Sequence, residues 1–279
     1  MKRQFALLLA FLLLMTAFAA AEAAAPTPLI TEDVPQWLTG IPPQEKLTGI
    51  RCGDFEYLPM QDGSAQIIAY HGKEKSLTLP AELDGCPVTA VGARAFTGSS
   101  KLTDVTLPEG ILSLGDAAFS GCRKLTAVTL PQSLARLGEN PFVNCPRLEA
   151  FLLSPDHPVL ELRDGLLLNK AEQKLVCCPL TLQSDACTVP EGIRTIGSDA
   201  FAWSSLPRIE IPASVTDIDE SAFYACQELT AIVVDEKNPA YVSDENGVLF
   251  NKDKTTLICF PDGKTGTYDI PDSVTSIGD

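Results

Sequence analysis

The sequence predicts a solenoid of leucine-rich coils, one chain winding through stacked short strands. Three observations predict it. Leu102-Thr-Asp-Val-Thr-Leu-Pro108 returns as Leu125-Thr-Ala-Val-Thr-Leu-Pro131, a period of 23 residues. The full unit, L-x-x-V-x-L-P-x-x-(I/L)-x-x-L-G-x-x-x-F-x-x-C-x-x-L, has related copies from Leu77 to Phe96, Val189 to Phe201 and Ile209 to Leu229. A longer period lies on top, since Pro131, Cys145 and Pro158 match Pro212, Cys226 and Pro239, each 81 residues on. A period in the twenties with leucine-like residues at fixed offsets marks coils that cannot bury both flanks alone and so must stack.

Taken in order, residues 1–23 read as a secretory signal peptide. Lys2 and Arg3 precede the apolar run Phe5 to Phe18, and the alanine-rich stretch Ala19 to Ala25 offers cleavage after Ala21 or Ala23. The run is shorter than the roughly 20 residues of a membrane span, and no cysteine follows it to take a lipid. Residues 24–49, with prolines from Pro26 to Pro43, read as a flexible linker. Residues 50–75 form a cap: Phe55 to Met60, a turn at Asp62-Gly63, then Ala65 to Tyr70, an N-terminal β-hairpin. Repeats fill 76–279, with β-hairpin insertions where Gly165 to Lys170 and Gly247 to Lys252 are followed by Leu175 to Pro179 and Leu257 to Pro261. The last repeat, Ile270 to Asp279, stops before its phenylalanine, so either the last coil is left open or, the favoured expectation, the chain is a fragment of a longer protein.

Each position in the unit has a physical task. The alternation L-x-x-V-x-L points Val105 and Leu107 inward and Asp104 and Thr106 outward. Proline at 108, 131, 190, 212 and 271 ends the strand because it lacks an N–H for the ladder. Glycine at 92, 115, 138, 197 and 278 is expected to supply a positive-φ turn, with Asp219 as substitute in one copy. The phenylalanines are expected to stack along the spine.

The unit I-P-x-S-V-T-x-I-G-x-x-A-F-x-x-C-x-x-L, the opening Asp62 to Tyr70 and the Asn238-Pro-x-Tyr241 to Lys252 insertion together resemble BspA-type leucine-rich repeats over about residues 50–279. The resemblance implies an α/β fold, a right-handed leucine-rich-repeat solenoid, secreted or on the cell surface of a bacterium and acting as an adhesin or partner-binding module. Pro141 departs from the pattern's alanine, and Ser99 and Ser204 from its cysteine.

Charge narrows the partners. The net charge of −15 grows more negative once Lys2 and Arg3 leave with the signal, which disfavours nucleic acid and anionic membranes. Nine cysteines would suggest disulfides in an exported chain. Yet Cys122, Cys145 and Cys226 each follow a phenylalanine by three residues and obey the repeat, so buried single thiols are expected. Vicinal Cys177-Cys178 has no C-x-x-C partner.

No chemistry-bearing motif emerges. His71 and His157 read as loop residues, and the nucleophile-elbow, zinc-protease and P-loop patterns are missing from the sequence. Asp244-Glu-Asn-Gly247 hints at calcium, but an EF-hand alignment puts Val242 at the first ligand position, so turn chemistry explains it better. What remains is the outward face of the strands, the inner face of a curved solenoid. Thr78, Thr106, Thr129, Thr188, Glu210 and Asp269 form a column broken by Leu152 and Val233, with Asp104 and Arg208 one column over. Asp104, Thr106, Thr129, Arg208 and Glu210 are the candidate ligand-binding residues, although threonine also suits β-strands for its own sake. Trp203 and Tyr224 read either as exposed anchors or as packing between coils. The expected function is binding of an extracellular protein or glycan without cofactor, metal or turnover. The rivals are a structural spacer carrying a C-terminal domain and a hydrolase using carboxylates such as Asp104 and Glu210. Self-association through an uncapped C-terminal end is also expected.

Overall fold

The computed structural model describes residues 49–278. The expected signal peptide and nearly all of the linker lie outside the described residues. Within them the chain is a β-solenoid, and no helix is formed. That corrects the α/β expectation, and the cause is local. The segment around each spine phenylalanine carries a left-handed residue two after it (Gly98, Gly121, Asn144, Trp203, Ala225), and those around Phe96, Phe119 and Phe201 carry another two before it (Arg94, Ala117, Asp199). Left-handed residues at these positions interrupt any right-handed helical turn, so these segments are chains of turns.

Each complete coil contributes a front strand and a short side strand. The front strands Ser76–Thr78, Asp104–Thr106, Ala127–Thr129 and Ala150–Leu152 pair in parallel as a first ladder. Cys187–Thr188, Arg208–Ile211 and Ala231–Val234 form a second. Alternation works as expected: Val105, Leu107 and Val128 are buried, while Asp104 is exposed. Phe96, Phe119 and Phe142 stack with centroids 4.7 and 5.7 Å apart, and Phe201 and Phe223 resume the spine at 5.8 Å. The repeat cysteines do more than fill space. Cys122, Cys145 and Cys226 donate their thiols to the carbonyls of Phe96, Phe119 and Phe201, one coil back, at 3.1–3.2 Å. All nine cysteines carry free thiols, six of them buried.

The repeat glycines need correction. Gly92, Gly115, Gly138 and Gly197 are not left-handed. A Cβ at Gly115 or Gly138 would come within 3 Å of backbone atoms of the preceding coil. They are glycine because coils approach too closely there for a side chain.

The insertions are larger than hairpins. Each is a three-stranded antiparallel meander whose trailing strand pairs in parallel with the next side strand. The first comprises Leu160–Arg163, Leu166–Asn169 and Lys174–Cys177, the last pairing with Thr195–Ile196. The second comprises Tyr241–Ser243, Leu249–Asn251 and Thr256–Cys259, the last pairing with Ser276–Ile277. The cap, Ile50–Cys52, Phe55–Pro59 and Ala65–Tyr70, is a third copy, pairing with Cys86–Val91. The middle strands explain why apolar residues run consecutively there. Leu167 belongs to the first core cluster and Leu166 and Leu168 to the second. Leu249 likewise faces the second cluster, and Val248 and Phe250 a third. A strand buried on both faces needs no polar alternation, so each internal meander is a wall between stacks of coils.

Candidate functional site

The strand register places Thr78, Thr106, Thr129 and Leu152 side by side across the first ladder, and Thr188, Glu210 and Val233 across the second. Leu152 thus ends one column rather than interrupting a longer one. Asp269 lies outside any strand and joins neither. Asp104, Thr106 and Thr129 share the first ladder, and Arg208 and Glu210 the second, so the five candidate residues form two sites.

Their polar groups are engaged differently. Asp104 accepts from the Thr103 hydroxyl at 2.7 Å. Glu210 accepts from Arg208 Nε at 3.0 Å and from the Thr188 hydroxyl at 2.9 Å. Those two bonds, Arg208 first, hold the Glu210 carboxyl below the ordinary glutamate range. A glycosidase needs two carboxyls about 5 to 9.5 Å apart. Asp104 and Glu210 stand on separate ladders, with Ala127–Thr129, Ala150–Leu152 and the first meander between them along the chain, so no strand register sets them side by side.

Beside Thr129 the face sinks into an open depression of about 500 Å³ lined by Phe151, Leu152, Leu153, Ser154 and Gln132. Leu152, 52% exposed, stands at its lip. Glu109, also in the lining, accepts from the Gln132 and Ser133 backbone N–H groups at 2.9 and 3.1 Å, and these bonds keep its carboxyl ionised below the usual range.

Trp203 and Tyr224 lie on the turn side, not on the front ladders. Their rings meet edge to face at 5.2 Å and remain 39% and 59% exposed, so they pack between coils and face solvent at once. His71 faces Glu56 at 3.3 Å. His157 sits in a loop, as expected, but is completely buried, which its sequence context did not signal. Its Nε2 donates to the Pro131 carbonyl at 2.9 Å, and Nδ1 accepts from the Val159 and Leu160 N–H groups at 3.2 and 2.9 Å. Asp244 spends its carboxylate on its own turn, accepting from the Asn246 and Val248 N–H groups and from the Tyr268 hydroxyl. Among the described residues no three His, Cys, Asp or Glu side chains are grouped to hold a metal.

The model of the BspA type leucine rich repeat region matches in six copies, over residues 70–163 and 180–279. The chain belongs to this family. BspA-type repeats therefore account for both front ladders, whereas residues 164–179, which hold the last two strands of the first meander, fall between the matched stretches. No protein of curated function matches by sequence. Among solved structures, the chain is similar to a leucine-rich cell surface protein from Faecalibacterium prausnitzii, with 22% identity, a TM-score of 0.50, and 84% of this chain and 73% of that one covered. A leucine-rich repeat protein from Eubacterium ventriosum is 25% identical with a TM-score of 0.43, covering 83% and 55%. One from T. pallidum is 23% identical with a TM-score of 0.41, covering 82% and 81%. At 22% identity the likeness to the Faecalibacterium protein concerns the fold alone.

Proposed function

We propose that this BspA-type chain is an exported, non-catalytic binding module that works outside the cell or on its surface and recognises a protein or glycan partner through its front ladders. The observation that carries the reading is the column Thr78, Thr106, Thr129 and Leu152. It is held in register by parallel pairing, it faces outward, and it ends in an exposed leucine beside an open depression. Stacked coils make long faces suited to large partners, and an exposed apolar residue within a polar rim is a common anchor of an interface. The second ladder adds the ordered Arg208–Glu210–Thr188 group. The alanine-rich leader after Lys2-Arg3 supports export. The winding is taken as right-handed, the hand that parallel strands joined by a crossover almost always adopt.

Capture of extracellular proteins and an array of surface glycans by residues 24–279 tests this. Thr106→Lys with Thr129→Lys is expected to abolish capture, and Arg123→Glu on the turn side to leave it intact. Equal capture by both variants, or turnover of any captured ligand, would overturn the reading. Sedimentation over a concentration series separately tests self-association through the exposed Phe260 and Ile277 of the last described coil.

A further inference from the structure

The two front ladders end differently. In each stack the residue after a front strand donates its N–H to the next coil: Leu79 to Thr106 at 2.9 Å, Leu107 to Thr129 at 3.1 Å, Leu130 to Leu152 at 2.8 Å. The middle residue of an edge strand also points its N–H and C=O away from the ladder, because parallel pairing engages alternate residues. At the edge of the second ladder both donors are met by the second meander. Ile232 N–H reaches the Gly247 carbonyl at 2.9 Å and Val234 N–H the Ser243 hydroxyl at 3.1 Å. The positions 81 residues earlier are Phe151 and Leu153. Ala150 N–H is spent on the Thr126 carbonyl and the Leu152 carbonyl on Leu130, so Phe151 faces the far side as Ile232 does. Among the described residues, neither Phe151 N–H nor Leu153 N–H finds an acceptor.

The cause lies in the turns. Asp164 and Gly165, both left-handed, close the first meander in a tight two-residue turn between paired Arg163 and Leu166. The second spends residues 244–248 between paired Ser243 and Leu249, enough to reach back to the ladder. Lys264 then ties that loop down, donating to the Thr230 and Asn246 carbonyls at 3.3 and 2.5 Å. The first copy has Leu182 near its turn instead, at 3.4 Å from where a Gly165 Cβ would sit.

We propose that this open edge takes an extended, basic peptide segment of a partner protein, which adds a strand beside Ala150–Leu152. A donor, an acceptor and a second donor on one strand edge match an extended backbone rather than a sugar ring. The depression under Leu152 and Leu153 receives an apolar side chain. Among the described residues Glu109 lines it and no cation does, in a chain of net charge −15, which selects basic flanks. The inference rests on the binding-module reading and names the partner chemistry of one part of that face.

The test is amide hydrogen exchange on the full chain, with an acetylated and amidated Lys-Val-Lys-Val-Lys-Val peptide as probe. Without peptide, the Phe151 and Leu153 amides are expected to exchange at least tenfold faster than those of Ile232 and Val234. Saturating peptide is expected to slow both at least tenfold, and a glutamate-for-lysine version to bind at least tenfold more weakly. Leu153→Pro deletes a donor that no described group uses and is expected to weaken binding at least fivefold. If that variant does not fold, the peptide N-methylated at alternate residues must fail to slow exchange. No slowing by the probe overturns the proposal, and so does equal binding of the acidic version. Slow exchange without peptide overturns it too: a dependence on protein concentration would assign the edge to a second copy, and independence to the chain itself. If the probe fails while the Thr106 and Thr129 variants still lose captured ligand, the edge proposal alone falls.

Discussion

The two internal meanders share topology, register and wall-like middle strands, yet their junctions with the preceding coil are built from different chemistry. In the first, buried His157 bridges the Pro131 carbonyl and two backbone N–H groups. In the second, Asn238 does the same work. It donates to the Pro212 and Val215 carbonyls at 2.8 and 2.9 Å and accepts from the Ala240 and Tyr241 N–H groups at 2.9 and 2.8 Å. A lysine in each copy, Lys170 or Lys252, donates to the carbonyl of the bridging residue. The coil repeat fixes the stacking, whereas each junction requires only a side chain that donates one way and accepts the other. An amide does so at any pH, and an imidazole only while it is neutral.

The largest expected effect tests whether the walls are equivalent. Leu167 and Leu249 are fully buried in the two middle strands. Leu167→Ala and Leu249→Ala should each cost about 2–5 kcal/mol, read from urea denaturation. Leu167 seals the first core cluster against the second, so its loss should also split one unfolding transition into two. A cost below about 1 kcal/mol at either position would mean that wall is not packed as described.

The next effect separates the junctions by pH. Burial pushes the His157 pKa down and the Lys170 ammonium adds to the shift, while the Pro131 carbonyl and Glu109 oppose it. Unfolded, the ring titrates near about 6.5. The unfolded state therefore binds more protons than the folded state as pH falls below that value. Stability from this group is complete above about pH 6.5 and is lost on acidification toward the lower folded pKa, by up to about 1.4 kcal/mol per pH unit. Urea midpoints between pH 8 and pH 5 should show the loss in the wild type. His157→Asn should flatten the curve, and Asn238→His should add a second acid-labile junction. A wild-type curve as flat as that of His157→Asn would break the comparison.

Legibility followed periodicity. The front strands, phenylalanine spine and repeat thiols were readable because each recurs at a fixed offset and stacking gives every copy the same neighbours. The absence of helix was not readable. Arg94, Ala117, Asp199 and Trp203 adopt left-handed backbone that their side chains do not advertise, and only Gly98 and Gly121 hinted at it. The role of the glycines at 92, 115 and 138 was misread because a turn and a close approach both demand glycine. The leading strand of each meander was missed because Leu160–Arg163 and Tyr241–Ser243 are only partly buried and show no apolar run. The candidate residues lie at the strand positions that alternation assigned them, but the sequence could not show that the first meander divides them between two ladders. Nor could it show that a two-residue turn leaves one edge open.

The smallest expected effect lies on the front face. Arg208 and Glu210 are each roughly 40% exposed, so solvent screening limits their pair to under about 1 kcal/mol. The direction is nevertheless definite. Arg208, then Thr188, depresses the Glu210 pKa in the folded chain, so the pair's contribution is present above the unfolded glutamate value of about 4.3 and is lost as pH falls through the lower folded value. Carboxyl titration by NMR should show Glu210 moving upward in Arg208→Gln and by less in Thr188→Val. Unfolding midpoints should change little in Glu210→Gln. An acid limb beginning near pH 6.5 would then belong to the first junction through His157, and Glu210 would contribute only a weaker limb below about pH 4.3 in the second ladder. If Arg208→Gln left the Glu210 titration unmoved, the ordered group on the second ladder would not persist in solution, and the polar part of the proposed face would reduce to the threonine column of the first.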